Sequence, residues 1–154
     1  MLNIFVSRFL LILISLLAFS LNTSNFFSKK QGIEGYVFRV KGNRMPSPDV
    51  KLPPPQPFKT DVYIYQLTNI KQVDRQGTSA FYFSIKTKLV KKIQSDKNGY
   101  FKITVPAGRY SIFTTKDTLF YANWFDKDNN IAPVEVLPGK MSKVEIRVDY
   151  DAFY

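Results

Sequence analysis

The side chains that could do chemistry are defined first by two absences. The 154-residue chain contains no histidine and no cysteine. Without histidine it lacks the commonest general base near neutral pH and the commonest metal ligand. Ser–His–Asp triads and His-ligated zinc sites therefore cannot be assembled from it. Without cysteine, disulfides, thiolate metal sites, cysteine nucleophiles and a lipoprotein anchor are excluded. What remains is oxygen, amine and aromatic chemistry. Asp126, Asp128 and Asn130 stand at positions 1, 3 and 5 of a calcium-loop spacing. Ile131 occupies the place of that loop's glycine and Leu137 that of its bidentate glutamate, so the segment reads first as a polar turn. Tyr63, Tyr65, Tyr82, Tyr121 and Trp124 would form a sugar-stacking platform if several share an exposed face, and core or sheet-covering residues if they do not. Lys86 and Lys88, with Tyr82 on the same face of a strand, are the best candidates for holding a polyanion. No cofactor is expected, and the chemistry left favours a binding or scaffolding protein over an enzyme.

The formal net charge is +10. Arg8 is the only charged side chain before Ser20, so the remainder carries +9. Its basic residues are dispersed, as on a solvated surface, and form no block of the kind that marks a nucleic-acid tail. Attraction to acidic glycans or anionic lipid head groups is the sharper alternative. No specific nucleic-acid partner is expected.

The N-terminus reads as an address. Residues 1–8 hold Arg8 and the amino terminus, and Phe9 to Leu21 run apolar with only serine interrupting. That length suits the apolar region of a signal peptide and falls short of the ~20 residues needed to span a bilayer. Ala18 and Ser20 supply small residues for cleavage after Ser20. The expected organisation is a signal peptide over 1–20, a linker over 21–31 and one domain over 32–154, in the periplasm or outside the cell. The alternative is tethering to the inner membrane by residues 9–27, the only membrane contact expected.

From Gly32 onward, short alternating segments are separated by turn residues, the pattern of a sandwich or barrel. Strands are expected over 33–40, 62–67, 81–93, 100–105, 110–114, 119–125, 134–136 and 144–150. Residues 41–44 read as a turn. Residues 45–60 hold six of the nine prolines and read as a loop with polyproline character, because proline cannot donate to a ladder. Residues 68–78 read as a polar loop. In 81–93, Phe81, Phe83 and Ile85 fall on one face and Tyr82 and Ser84 on the other; a β-bulge near Val90 would restore the phase for Ile93. Ser95 to Gly99 reads as a hairpin, with Asn98-Gly99 supplying the positive-φ positions. In the last strand Val144, Ile146, Val148 and Tyr150 point inward. The expected fold is all-β, a seven- to nine-stranded antiparallel Greek-key sandwich of prealbumin or immunoglobulin type. About 20 buried apolar side chains, each contributing roughly 1.5–3 kcal/mol, would offset the chain entropy.

Ser95-Asp96-Lys97-Asn98-Gly99-Tyr100-Phe101, followed by Pro106-Ala107-Gly108-Arg109-Tyr110-Ser111-Ile112, resembles the carboxypeptidase regulatory-like domain, and Gly35-Tyr36-Val37 resembles that family's opening strand. The resemblance covers roughly residues 33–150. It implies a transthyretin-like or carbohydrate-binding-like sandwich in which Gly35, Asp96, Gly99, Phe101, Gly108 and Tyr110 are structural. It also implies an exported, non-enzymatic module of the cell envelope whose partner is an envelope protein or a glycan. The zinc site of the carboxypeptidases that carry such a domain lies in a domain without counterpart here. The transthyretin-like hydroxyisourate hydrolases use histidines, which this chain lacks. Related adhesin repeats join a Lys to an Asn or Asp by an isopeptide bond; Lys41 and Asp149 are the nearest candidates, without an acid placed to assist. An eight-stranded outer-membrane barrel, suggested by size, aromatics and the terminal Phe153-Tyr154, is the remaining alternative, against which the nine prolines weigh. Mass spectrometry of the exported protein is expected to find a chain beginning at Leu21, or a few residues later if the cut falls near Ser24; an intact Met1 would refute cleavage.

Overall fold

A computed structural model of the protein describes residues 30–46 and 51–154. The expected signal peptide and nearly all of the linker lie outside the described residues. Eleven strands form among the described residues, where seven to nine were expected. They are β1 (Gly32–Asn43), β2 (Gln56–Pro57), β3 (Asp61–Gln66), β4 (Val73–Arg75), β5 (Phe81–Ile85), β6 (Leu89–Gln94), β7 (Tyr100–Thr104), β8 (Gly108–Lys116), β9 (Leu119–Tyr121), β10 (Pro133–Val136) and β11 (Met141–Phe153). A 3₁₀ turn, Ile70–Gln72, precedes β4. No helix among the described residues is long and apolar enough to cross a membrane.

The strands make two sheets and no closed barrel, which sets aside the outer-membrane alternative. In the smaller sheet β1 lies between β11 on one side and β7 and β2 on the other; in the larger, the order runs β4-β5-β9-β8-β3-β6, with β10 also on β8. Every pairing but one is antiparallel. β1 and β11 run parallel over Gly32–Asn43, which corrects the all-antiparallel expectation. A parallel pair needs a long crossover, and here the crossover is the rest of the domain. The same pairing carries β1 through residues 41–43, where a turn was expected, because Lys41, Gly42 and Asn43 sit opposite Asp151, Ala152 and Phe153.

Between the sheets lies one core, made of Ile33 and Val37 of β1, Val62 and Ile64 of β3, Phe101 and Ile103 of β7, Ile112 of β8 and Val148 of β11, among others. Gly35 is required at the centre of this layer: a Cβ there would overlap the Val144 carbonyl of β11. The bulge expected near Val90 is present. Ile64 pairs with Lys91 and Tyr65 with Leu89, leaving Val90 as the extra residue. Val90 and Ile93, three apart, consequently both pack on the inner core.

The long strand expected over 81–93 is instead two, at opposite ends of the larger sheet. The chain between them is fixed by Lys86 N–H donating to the Gln72 carbonyl and by the Thr68 and Thr87 hydroxyls meeting at 2.6 Å. Sequence alternation also misplaces the faces. Opposite the Asp74/Arg75 boundary β5 carries a second bulge, pairing Asp74 with Ser84 and Arg75 with Tyr82. Phe83 is thereby turned out, 57% exposed, while Tyr82 is completely buried. Tyr82 belongs to a second cluster on the outer face of the larger sheet, with Tyr65, Val73, Phe113, Ala122, Ile131 and Ala132. Phe113 sits at its centre, edge-on to Tyr65 and Tyr82 with ring centroids 5.7 Å away in each case. The larger sheet is thus buried on both faces, which is why the 68–78 segment could not remain a polar loop: Ile70 and Val73 cover the aromatic layer.

The turn Asp96–Gly99 is not a hairpin. β6 belongs to the larger sheet and β7 to the smaller, so the Asn98-Gly99 turn hands the chain from one layer to the other. Pro106–Gly108 and Pro138–Gly139 do the same, since β8 and β10 lie in the larger sheet and β7 and β11 in the smaller. Truncating Phe113 to Ala is expected to cost about 3–5 kcal/mol, and truncating Phe83 no more than about 0.5 kcal/mol. Urea denaturation at constant m-value measures both, and equal costs would contradict the two-faced burial.

Candidate functional site

The motif residues 95–110 are occupied by the scaffold. Asp96 Oδ1 accepts the N–H groups of Asn98 and Tyr100, both at 2.8 Å. Gly99 has φ of 75°, and a Cβ there would strike the Val37 carbonyl of β1, so glycine is needed twice over. Its own carbonyl accepts from Val37 N–H at 2.8 Å. Phe101 is buried in the core. Gly108 has φ of 153° and lies against the Tyr110 ring, whose hydroxyl donates to the Pro106 carbonyl at 2.9 Å.

The Asp126 loop likewise satisfies itself. Asp126 Oδ1 accepts from the N–H of Asp128 at 3.0 Å and of Asn130 at 2.8 Å, while Oδ2 accepts from the Asn130 amide at 2.9 Å and from Arg109 at 3.1 Å. The Asn130 hydrogen bond, chiefly, holds this carboxyl below its ordinary value. The Asn130 side-chain oxygen Oδ1 faces the Asn69 amide, which also donates to the Asp128 backbone carbonyl. These residues form a closed turn with no group of three acidic side chains converging, and no such group occurs elsewhere among the described residues. Lys41 and Asp149 are not brought together. Asp149 accepts from the Tyr121 hydroxyl, from Asn123 at 2.7 Å and from Tyr154 at 3.0 Å, whereas Lys41 is exposed on β1.

The aromatic platform suggested by the sequence does not form. Tyr65, Tyr82 and Tyr121 are buried and Tyr63 is half-buried. Their positions divide between two faces: Tyr121 is in the inner core, and the other three are in or against the outer cluster. Trp124 alone is half exposed. It lines an apolar cleft at the open edge between the sheets, with Ile112, Val134, Val144 and Ile146. Lys86 and Lys88 are exposed, but Lys86 pairs with Asp74 at 2.9 Å, and Tyr82 lies beneath them in the outer cluster.

The structure assembles a different aromatic row. Tyr36 and Phe38 of β1 and Tyr100 of β7 lie on the outer face of the smaller sheet. The Tyr36 and Phe38 rings are stacked at 6.1 Å with 19° between planes, and Tyr100 meets Tyr36 at 5.3 Å. Tyr36 is 47% exposed. A charged pair flanks the row: Lys102 Nζ donates to Glu34 Oε2 at 2.8 Å, and the Tyr100 hydroxyl reaches the same oxygen at 3.4 Å. The Lys102 bond holds the Glu34 carboxyl below its ordinary value. A signal for this row was present in the sequence, since Tyr36 and Phe38 alternate with the core residues Val37 and Ile33. The pairing of Tyr36 with Tyr100 across β1 and β7 was not legible before the strands were matched.

Comparison with known proteins finds no matching family model, no matching curated protein and no matching solved structure.

The buried phenols set an alkaline limit. Desolvation raises the Tyr65, Tyr82, Tyr110, Tyr121 and Tyr150 hydroxyls above their ordinary value of 10.0, and at Tyr121 the neighbouring Asp149 carboxylate adds to the shift. The folded state holds these protons longer than the unfolded state. Their stabilising contribution is therefore complete below pH 10 and is lost as pH rises beyond it, by up to roughly 1.4 kcal/mol per pH unit for each. Tyrosinate absorbance is expected to appear in two phases, the larger coincident with unfolding; smooth titration of all nine tyrosines before unfolding would contradict it.

Proposed function

We propose that the chain is an exported, non-enzymatic interaction module of the cell envelope, built as a Greek-key sandwich of the carboxypeptidase regulatory-like kind. The observation that carries the reading is the aromatic row on an ordered sheet face, in which exposed Tyr36 is braced by half-buried Phe38 and Tyr100. Aromatic rings held by a rigid sheet present apolar contact area with little entropy left to lose, the property that enriches Tyr at protein interfaces. The Glu34–Lys102 pair beside it supplies a polar rim.

Three further observations support the assignment. The carboxylates of the described chain mostly serve structure: Asp96 and Asp126 close turns, Asp61 and Asp151 pair with Lys92 and Arg39, and Asp149 collects three donors. With no histidine in the chain, none of these groups has the commonest general base beside it. The motif residues Asp96, Gly99 and Tyr110 occupy the backbone-supporting roles that the family resemblance implies. The apolar run 9–21 supports export, to the periplasm or beyond.

A second reading, carbohydrate binding, rests on the same row, because aromatic faces on a flat sheet suit the apolar faces of sugar rings. A glycan array together with pull-downs from an envelope fraction tests both. Tyr36→Ala, at an exposed position, is expected to leave the urea midpoint unchanged and to weaken the bound partner about tenfold or more, as loss of a central aromatic anchor does. Capture of a protein that Tyr36→Ala releases supports the first reading and capture of a glycan the second. Undiminished binding by Tyr36→Ala refutes both.

A further inference from the structure

At the far end of β1 a recess of about 80 Å³ is lined by Arg39, Lys41, Arg44, Pro53, Pro54 and Gln56. Three of these six are cations and none is an acid. Among the described residues the carboxylate bonded to Arg39, that of Asp151, is already shared. Arg39 donates to its Oδ2 through both Nε and Nη2, and Lys116 Nζ lies 3.4 Å from its Oδ1. Arg39 also lies over the Phe58 and Tyr150 rings, with its guanidinium carbon 5.1 and 5.7 Å from their centres. It is therefore a fixed wall whose charge is largely answered. Lys41 and Arg44 have no ion-pair partner among the described residues, and their charges remain in excess.

Arg44 is held in place. Its Nη1 donates to the Pro53 carbonyl at 2.5 Å, and its backbone N–H donates to the Phe153 carbonyl at 2.7 Å. Its Nε is buried and meets no acceptor among the described residues. Buried N–H groups of folded proteins nearly always find an acceptor in protein, water or a bound ion, and this one belongs to a guanidinium lining a cationic recess. Pro53 and Pro54 contribute rigid walls with no backbone donors of their own.

We propose that this recess binds a single tetrahedral oxyanion, a phosphate or sulfate group, with Arg44 and Lys41 as its ligands and Arg39 as the fixed wall behind them. A guanidinium presents several donors in a planar fork that matches two oxygens of such a group, and a lysine ammonium adds a mobile point charge. A tetrahedral group has oxygens enough for both, which a monovalent halide lacks. The site lies beyond the Tyr36 row on β1 and is independent of any partner bound there. The oxyanion is either a free ion or the phosphate of a lipid head group; the recess recognises the chemistry the two share.

Titration of the full-length chain with inorganic phosphate at low ionic strength, followed by amide NMR, tests the proposal. The Lys41, Arg44 and Gln56 amides are expected to move together along one single-site curve, with sulfate competing and chloride failing to compete. Arg44→Gln and Lys41→Gln are each expected to weaken phosphate about tenfold, the scale of one charge-assisted contact. Lys91→Gln, on β6 of the other sheet, should leave it within about twofold. Lys41 is exposed, so Lys41→Gln reports on binding even if Arg44→Gln fails to fold. Sedimentation with phosphatidic-acid vesicles then separates the sources: vesicle binding that Lys41→Gln abolishes identifies a head group, and phosphate binding without vesicle binding identifies a free ion. Shifts scattered over surface lysines, no single-site curve, or unchanged affinity in both recess variants would overturn the assignment.

Discussion

β1 is the constraint on which the rest of the structure depends. It is hydrogen-bonded along both edges, to β11 in parallel and to β7 and β2 antiparallel, and three separate features are hung from it. Its inward residues, Ile33 and Val37, anchor the core. Its outward residues, Tyr36 and Phe38, make the aromatic row. Its far end supplies Arg39 and Lys41 to the cationic recess. The close approach of β11 is possible because position 35 has no side chain, and the close approach of the 96–99 turn because position 99 has none. Two glycines thus set the spacing of the smaller sheet, and the core fills what they leave.

The larger sheet solves a different problem. Its inner face packs on the smaller sheet, and its outer face would expose Tyr65, Tyr82 and Phe113 unless covered. The chain covers it with its own excursion, in which the Ile70–Arg75 segment folds back over the rings together with Ile131 and Ala132. Polar closure accompanies the apolar one. Thr68 N–H donates to Ser111 Oγ at 2.9 Å, and the Thr68 carbonyl accepts from Ile131 at 2.8 Å. A buried serine and threonine are tolerable there because each finds its partner. Without disulfides, this double burial lets a chain of this size accumulate enough apolar contact to fold.

The consequence for function is a division of labour between faces. Most aromatics of the larger sheet are consumed by packing, whereas Tyr36, with Phe38 and Tyr100 beside it, remains on the outer face of the smaller sheet. Surface ion pairs such as Lys86–Asp74 and Arg147–Glu145 are exposed and contribute little to stability. At the recess end of β1, Lys41 and Arg44 have no ion-pair partner among the described residues and line one recess with Arg39. The two candidate surfaces therefore lie on one strand and differ in character, one apolar and one cationic.

Much was decided locally and could be read from the residues alone. Alternation and β-branched content made the chain all-β, since a strand's two faces follow from its own period. Gly99 and Gly108 marked turns because positive φ is a property of the single residue, although Asn98, expected to share it, does not adopt it. The extra residue at Val90 followed from the phase between neighbours, and the missing histidine excluded whole classes of chemistry without any coordinates. Tertiary structure alone decided which strands meet and which faces are wet. The parallel β1–β11 pair joins residues more than a hundred positions apart. Phe83 and Tyr82 exchange their expected environments through a bulge set by the pairing with β4, and a sheet buried twice over leaves no polar face for its pattern to announce. Arg39, Lys41 and Arg44 are ordinary surface cations in sequence; they become a recess only where β11 and the proline segment close around them. Local periodicity fixes a side chain's direction relative to its own strand, and only long-range packing determines what lies in that direction.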